Sequence, residues 1–397
     1  MATLLLFGDT ESSPAIRHEV PVAIGDPFLF ADVEGRQVVL TSSLERGRVA
    51  AALPDAELLD FFDFGLRELA ERGLSRKEAD REIVSRVVDH LQIREALVPW
   101  NFPVSIADRL RKDDVVVTVD DDFVDTRRRV KTGPELAGVR AAQQAAHAAT
   151  RAVAEMLAGA TPGPDGRLHL DGEQLTAEQL REQIRVTCAA HDATCPAGSL
   201  VSSVINGSGH DPGQGPLPAG LPIEIDVFPR DEATGCWADM TRTFVVGSPT
   251  PEHAELIAEQ EGLVREALEQ AREATRPGVT GSELYAATCD LFEAAGYATQ
   301  RTGQSGSTEE GFQFALGHGV GLEVHEPPGL GLSGSEPFVA GDVVAIEPGL
   351  WDNRVGGVRV EDLLLVTEAG CETLTRFAYD LAPSAPGGPV VAPEPLD

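Results

Sequence analysis

PIEIDVFPRDEATGCWADMTRT, residues 222–243, is the stretch from which the rest of this chain can be read. Ile223, Ile225 and Val227 alternate with Glu224 and Asp226, the period-two pattern of a half-buried strand. Asp226 therefore stands in mid-strand, where an acid is unfavourable without a partner. A turn-rich insert at 229–235 follows, then Trp237, a second acid at Asp239, and the β-prone run 241–246. Two strands joined by that turn would form a hairpin that brings Asp226 and Asp239 close. Two carboxylates in one place repel unless they share a proton or a cation, and a metal is the simplest partner. A hairpin with one exposed acid on each arm is the plainer alternative.

Working outward, the segment VSSVINGSGHDPGQGPLPAG at 201–220 is rich in Gly and Pro, a loop whose backbone can approach a ligand closely. His210 is its only His, a candidate ligand-contacting group or simply a solvated loop residue. In FALGHGVGLEVHEPP, His318 and His325 stand seven positions apart, with Gly317, Gly319 and Gly321 around the first. Seven residues of regular strand put them on opposite faces, so a bend is required if both line one pocket. Glu347 ends the apolar strand of DVVAIEPGLW. In GGVRVEDLLLVTEAG, Arg359 and Glu361 are two apart and share one face of a strand that continues into the buried run 363–366. Each of these, alone, also reads as an exposed edge residue or an ion pair. Together, Asp226, Asp239, His318, Glu347 and Glu361 are one imidazole and four carboxylates, an oxygen-rich set suited to Mn²⁺, Co²⁺, Fe²⁺ or Zn²⁺ in a two-metal site. Buried acids in that number demand comparable positive charge. Two divalent ions can hold a hydroxide between them and clamp a scissile carbonyl.

The whole chain sets the outer bounds. Its 397 residues, 42% hydrophobic and 24% charged, suffice for two globular domains of α/β type. Lys plus Arg total 32 against 64 Asp plus Glu, a formal charge of −32, which argues against nucleic acid or an anionic membrane as partner. The N-terminus lacks a basic region before its short apolar run, and no stretch is long and apolar enough to span a bilayer. Five scattered cysteines without a CxxC spacing read as reduced thiols of a cytoplasmic protein. Residues 1–130 read as an N-terminal α/β domain, with strands at FLFADV and RQVVLTS and helices over 55–72 and 77–91. The run DVVVTVDDDFV at 114–124 reads as a strand ending in an acid cluster at a solvated edge. A boundary falls near 130, where basic residues precede Pro134 and Glu135 at the start of a long helix. Residues 131–382 then hold a repeat: long helix, Pro-Gly break at 161–163 or 276–278, shorter helix, strands. Such a duplication builds two pseudo-symmetric halves with a site between them, unless two ordinary helical hairpins coincide. The tail 383–397 is Pro-rich and expected to be disordered.

The order Asp, Asp, His, Glu, Glu, in the contexts IDVFPRDEATGCWADMTRTF, GHGVGLEVHE, IEPGL and VRVED, resembles the pita-bread metallopeptidases over about residues 128–376. That family includes aminopeptidase P, prolidase, methionine aminopeptidase and creatinase. Within it the chain looks most like the Xaa-Pro peptidases, because an α/β domain precedes a junction containing Arg128, Lys131 and Glu135. The resemblance implies a creatinase-like N-terminal domain, a pseudo-two-fold pita-bread (α+β) catalytic domain, a homodimer, and two divalent ions, Mn²⁺ foremost with Co²⁺, Zn²⁺ or Fe²⁺ as alternatives. It implies that Asp226, Asp239, His318, Glu347 and Glu361 bind metal, with Asp239 and Glu361 bridging. Glu347 would shuttle a proton from a bridging hydroxide's parent water to the leaving nitrogen. His210 and His325 would contact substrate and stabilise the tetrahedral intermediate, and Arg359 would support the carboxylates and the substrate end. The implied reaction is hydrolysis of the bond preceding proline in proline-containing peptides. Two departures bear on recognition: Phe314 stands where many relatives have a further His, and Cys236 where a Tyr is usual. A creatinase-like hydrolase of small C–N substrates and a non-catalytic binding protein on the same scaffold are the alternatives.

Overall fold

Short apolar runs at the N-terminal end of the chain become a sheet in the computed structural model, which describes residues 3–207, 211–302 and 310–383. The chain divides into two compact units, Met1–Arg129 and Val130–Asp397. In the first, β1 (Leu4–Gly8), α1 (Pro14–Glu19), β2 (Phe28–Val33), β3 (Arg36–Thr41), α2 (Arg46–Ala52) and β4 (Glu57–Asp60) precede α3 (Leu66–Glu71) and α4 (Arg76–His90). β5 (Glu95–Val98), α5 (Val104–Lys112), β6 (Val116–Val119) and α6 (Asp121–Arg129) complete it. One mixed sheet runs in the order β4-β3-β2-β1-β5-β6. The β2–β3 hairpin closes through Glu34 and Gly35, both at positive φ (56° and 93°), the pair of left-handed residues that matches the twist of tightly joined strands.

Two expectations fail in this unit. A helix over 55–72 is interrupted: residues 57–60 form β4, parallel to β3, and the helix is confined to α3, because pairing at the sheet edge outweighs local helix propensity. Phe62, between β4 and α3, is 58% exposed. The acid cluster after β6 lies not on a strand edge but in α6, where Asp121 and Asp122 occupy the first turn and complement the positive end of the helix.

The second unit opens on α7 (Gly133–Gly159), started by Thr132, whose side chain accepts from the Glu135 amide while Glu135 reaches back to the Thr132 amide. A small sheet of β7 (Thr161–Pro162), β8 (Leu168–Leu170) and β9 (Glu173–Gln174) leads to α8 (Ala177–Ala189). β10 (Ala193–Thr194), β11 (Leu200–Ser202), β12 (Pro222–Asp226), β13 (Arg230–Asp231) and β14 (Thr241–Val245) follow. The second half repeats the plan: α9 (Pro251–Ala274), α10 (Gly281–Ala294), then β15 (Gly317–Gly319), β16 (Glu326–Leu330), β17 (Val343–Ile346), β18 (Gly349–Asp352), β19 (Gly356–Arg359), β20 (Asp362–Thr367) and β21 (Gly370–Thr373). The main sheets are β11-β12-β14 and β16-β15-β17-β20-β21. Each half buries its own apolar cluster, and a third cluster joins Val139 and Ala142 of α7 to Val343, Ala345 and Leu363 of the other half. Among the described residues no helix is long and apolar enough to cross a membrane, and all five cysteines are free thiols.

Arg242 rivets the two sheets. Its guanidinium, 2% exposed, meets Asp362 at 2.9 Å and donates to the carbonyls of Thr241 (2.7 Å) and Glu361 (2.8 Å). The Tyr379 ring lies 4.6 Å from its charge and the Tyr379 hydroxyl donates to Asp362. Removing one member of such a buried pair strands the other without water or counter-ion. Asp362→Ala is therefore expected to lower unfolding stability by about 3–5 kcal/mol, read from urea denaturation of the full chain.

Candidate metal centre

The hairpin pairing that sets the site is direct: β12 and β14 run antiparallel with Asp226 opposite Thr241, so Asp239 lies two residues beyond the pair. The expectation of a half-buried strand is corrected, since all five residues of β12 are buried, Glu224 and Asp226 included. His318 is the centre of β15 and pairs with Ala345. A Cβ on Gly317 would stand 1.9 Å from the Ala345 carbonyl, so only glycine lets the strands meet beside this His. Glu347 follows the last residue of β17 and its amide donates to Leu316 O at 2.8 Å. Arg359 and Glu361 do not share one continuous strand. The ladder breaks at 360–361, leaving Arg359 in the β18–β19 hairpin and Glu361 at the entry to β20. Glu361 is held there by β14, its amide donating to Thr241 O (3.1 Å) and its Oε2 accepting from Thr241 Oγ1 (2.8 Å).

These elements bring the acids and the imidazole into one neighbourhood. Asp239, His318 and Glu361 each present a ligand atom within 4.8 Å of the others. His318 Nε2 stands 3.7 Å from Asp239 Oδ2 and 3.6 Å from Glu347 Oε1. Arg359 joins the rest: its Nη2 contacts Asp226 Oδ2 and lies 3.1 Å from Glu224 Oε1, while Nη1 lies 3.3 Å from Glu347 Oε2. The His318 and His325 rings meet edge to face with centroids 4.1 Å apart, because β15 ends at Gly319 and the chain bends before β16 returns antiparallel. His210 lies outside the described residues. Glu224 belongs to the cluster although sequence reasoning did not select it. The available signal was its parity, two positions from Asp226 and hence on the same face of β12. Phe314 stacks edge to face on Trp351 at 5.2 Å, and Cys236 is buried in the cluster that joins the halves.

The electrostatics are strained in one direction. Burial, then the neighbouring carboxylates Glu361, Asp226 and Glu347, hold the Asp239 carboxyl well above the usual range. Burial, then Glu347 and Asp226, do the same to Glu361. Burial pushes Glu347 up to about 7, with Arg359 opposing and Asp226 and Glu224 adding. Burial also pushes Glu224 up to about 7 against Arg359. His318 falls to about 3, through burial and then His325, so its imidazole is neutral at ordinary pH. For Arg359 burial works against the charge, and Glu224, Asp226, Glu347 and Glu361 outweigh it. Asp226 Oδ1 and Glu361 Oε1 are buried with no hydrogen-bond partner among the described residues. Such orphaned oxygens cost free energy unless something cationic meets them. A neutral imidazole with carboxylate oxygens fits a divalent ion of the Mn²⁺–Zn²⁺ type.

The sequence profile of Metallopeptidase family M24 matches residues 137–368, which contain every one of these side chains. The chain belongs to this family. An Xaa-Pro dipeptidase from Pyrococcus furiosus is 38% identical over 144 residues, 36% of this chain, and the match spans only 37% of that relative's length. A probable dipeptidase PepE from Mycobacterium bovis is 28% identical over 347 residues, covering 84% of this chain and 82% of its own. Among solved structures, a prolidase from Pyrococcus horikoshii OT3 superposes with a TM-score of 0.73 at 20% identity, covering 96% of this chain and 95% of its own. An X-Pro aminopeptidase from Thermotoga maritima MSB8 gives 0.74 at 21% identity, covering 96% and 97%. These structures establish the fold: the M24 chain has a pita-bread unit following an N-terminal α/β unit.

The carboxyl shifts fix a sign for pH dependence. Glu224 and Glu347 hold their protons in the folded state up to about 7, well above their unfolded value, so the fold binds more protons than the unfolded chain in between. The stabilising contribution is complete below the unfolded value and lost as pH rises through about 7. Metal-free protein should therefore melt at lower temperature at about pH 8 than at about pH 5. Mn²⁺ should raise the melting temperature strongly at the higher pH and little at the lower, where protons compete for the same oxygens. Differential scanning fluorimetry with and without Mn²⁺ checks this, and an equal Mn²⁺ effect at both pH values would contradict it.

Proposed function

We propose that this M24 chain is a metal-dependent Xaa-Pro peptidase that hydrolyses the peptide bond preceding proline. The observation that carries the reading is the meeting of Asp239, His318 and Glu361, with ligand atoms within 4.8 Å of one another, beside buried oxygens of Asp226 and Glu361 that find no partner among the described residues. Asp226, Asp239, His318, Glu347 and Glu361 would hold a pair of divalent ions, Mn²⁺ foremost. When bound, such a pair supplies Lewis acidity toward a carbonyl and makes water acidic enough to attack near neutral pH.

The chain's own residues do the rest. Arg359 spans Asp226 and Glu347, fixing two carboxylates in orientations they could not keep against mutual repulsion. Glu347 takes a proton from the attacking water on one carboxylate oxygen and returns it to the leaving nitrogen. That return matters for proline, whose leaving nitrogen carries no hydrogen until it is protonated. His325, packed against His318, donates toward the substrate carbonyl as its oxygen gains charge, the role that the resemblance also implies for His210. An Xaa-Pro bond is a tertiary amide without an N–H, which subsites that require that donor reject; a site that works on the carbonyl from the acid cluster does not need it. The same reading takes the protein as a cytoplasmic homodimer acting on proline-containing peptides.

Purified protein should release proline from Leu-Pro, lose that activity in EDTA, and regain it with Mn²⁺ or Co²⁺. Asp239→Ala should abolish bound metal and hydrolysis together, by more than about a thousandfold in kcat/KM. Activity that survives chelation would favour a creatinase-like hydrolase, and neither metal nor hydrolysis would leave a binding protein on this scaffold.

A further inference from the structure

Beside the metal centre lies a cavity of about 260 Å³ whose floor includes Glu224. It forms where the tip of the β18–β19 hairpin comes up against the loop after β11. Gly356, at a φ of 95°, lets Val204 pack close, for a Cβ there would stand 3.2 Å from it. Trp351 makes one wall, its indole laid against Gly349 and Gly357, where added Cβ atoms would come within 2.6 Å and 2.3 Å of the ring. The orientation of the ring is thus set by backbone. Three carboxylates, Asp211, Glu224 and Asp352, line the cavity, and among the described residues its lining contains no Lys, Arg or His.

Those carboxylates are partly engaged. Asp211 accepts the Gly213 amide at 2.9 Å, Asp352 is paired with exposed Arg354 at 2.8 Å, and Glu224 shares Arg359 with Asp226 and Glu347. None is saturated, since a carboxyl group offers more acceptor positions than these contacts fill. Ser203 adds an independent mark of a ligand site: it is 6% exposed, lines the cavity, and its Oγ has no hydrogen-bond partner among the described residues. Three carboxyl groups without a basic side chain among the described lining residues, beside a fixed indole face, favour a group that donates and carries positive charge, an ammonium or guanidinium.

We propose that this cavity receives the side chain of the residue preceding proline and that Glu224 makes it select a cationic one, Arg or Lys. The inference rests on the Xaa-Pro reading above. In an Xaa-Pro dipeptide only the Xaa side chain varies in charge. Glu224 and Asp226 lie on one face of the same strand, two residues or roughly 7 Å apart, so the pocket begins one side-chain length from the acids that hold the reacting bond. Glu224 acts here as a specificity residue that touches substrate, and Trp351 as the wall over which the cation passes.

The test measures kcat/KM for Arg-Pro, Lys-Pro, Leu-Pro and Glu-Pro with Mn²⁺-loaded full-length protein, alongside Glu224→Gln and Trp351→Leu. Arg-Pro and Lys-Pro should exceed Leu-Pro by about tenfold, chiefly through KM, with Glu-Pro poorest. Either variant should bring the Arg-Pro to Leu-Pro ratio toward one. A merely structural role for Glu224, through Arg359, would lower both substrates alike and leave the ratio, which would overturn the inference; so would equal cleavage of Arg-Pro and Leu-Pro by the unaltered protein, with the Xaa-Pro reading left standing. If no Xaa-Pro dipeptide is cleaved, that reading fails, and calorimetric titration with arginine amide and norleucine amide decides the pocket. Tighter binding of arginine amide, weakened by Glu224→Gln or Trp351→Leu, supports it, and equal affinities overturn it.

Discussion

One guanidinium stands among five carboxyl groups, and the rest of the site follows from that imbalance. Arg359 reaches Glu224, Asp226 and Glu347, while Asp239 and Glu361 complete the ring of acids around His318. A single buried cation cannot offset so many buried acids, which is why burial and mutual repulsion hold Asp239, Glu361, Glu347 and Glu224 above the ordinary carboxylate range. Without further positive charge, the cluster must keep protons it would otherwise lose, and two of its oxygens stay without partners. Divalent ions remove both penalties at once.

The scaffold has to hold mutually repelling groups in register, and it does so through backbone. Asp226 and Thr241 are paired across β12 and β14, and Thr241 in turn fixes Glu361 with both its carbonyl and its hydroxyl. Arg242, the next residue, spends its charge on Asp362 and its remaining donors on the carbonyls of Thr241 and Glu361. Adjacent residues on β14 thereby anchor adjacent residues of the opposite half, one pair at the metal centre and the other behind it. The pita-bread arrangement of M24 places acids from both halves at one point without asking a single sheet to carry them all.

Much of this was legible in the sequence where a short-range pattern was tied to a steric demand. The alternation in 222–227, the insert, and the run from Thr241 lead directly to the observed antiparallel pair. The start of the long helix at Pro134 and Glu135, and the Pro-Gly breaks between each long and short helix, were visible because proline acts within one turn. What depended on distant partners was not legible. Residues 57–60 fall within the segment 55–72 read as a helix but pair with β3. Residues 359–361 read as one strand but are split, Arg359 closing the β18–β19 hairpin and Glu361 standing outside any ladder, held by Thr241 of β14. Glu224 stood in plain view beside Asp226, yet an alternating acid on a strand read as half-buried implies solvent, and only the burial of both faces makes it part of the site.

The same imbalance links metal binding to substrate choice. Arg359 is shared between carboxylates that would face metal and Glu224, which faces the cavity beside Trp351, so the charge that orders one side of the centre conditions the other. The central claim, that these side chains cage divalent cations, is tested most directly by anomalous diffraction at the manganese edge from crystals grown with Mn²⁺. The account predicts strong anomalous density for a pair of ions among Asp226, Asp239, His318, Glu347 and Glu361, with the orphaned oxygens of Asp226 and Glu361 turned toward it. Manganese bound elsewhere, or absent from that cluster at saturating concentration, would contradict it.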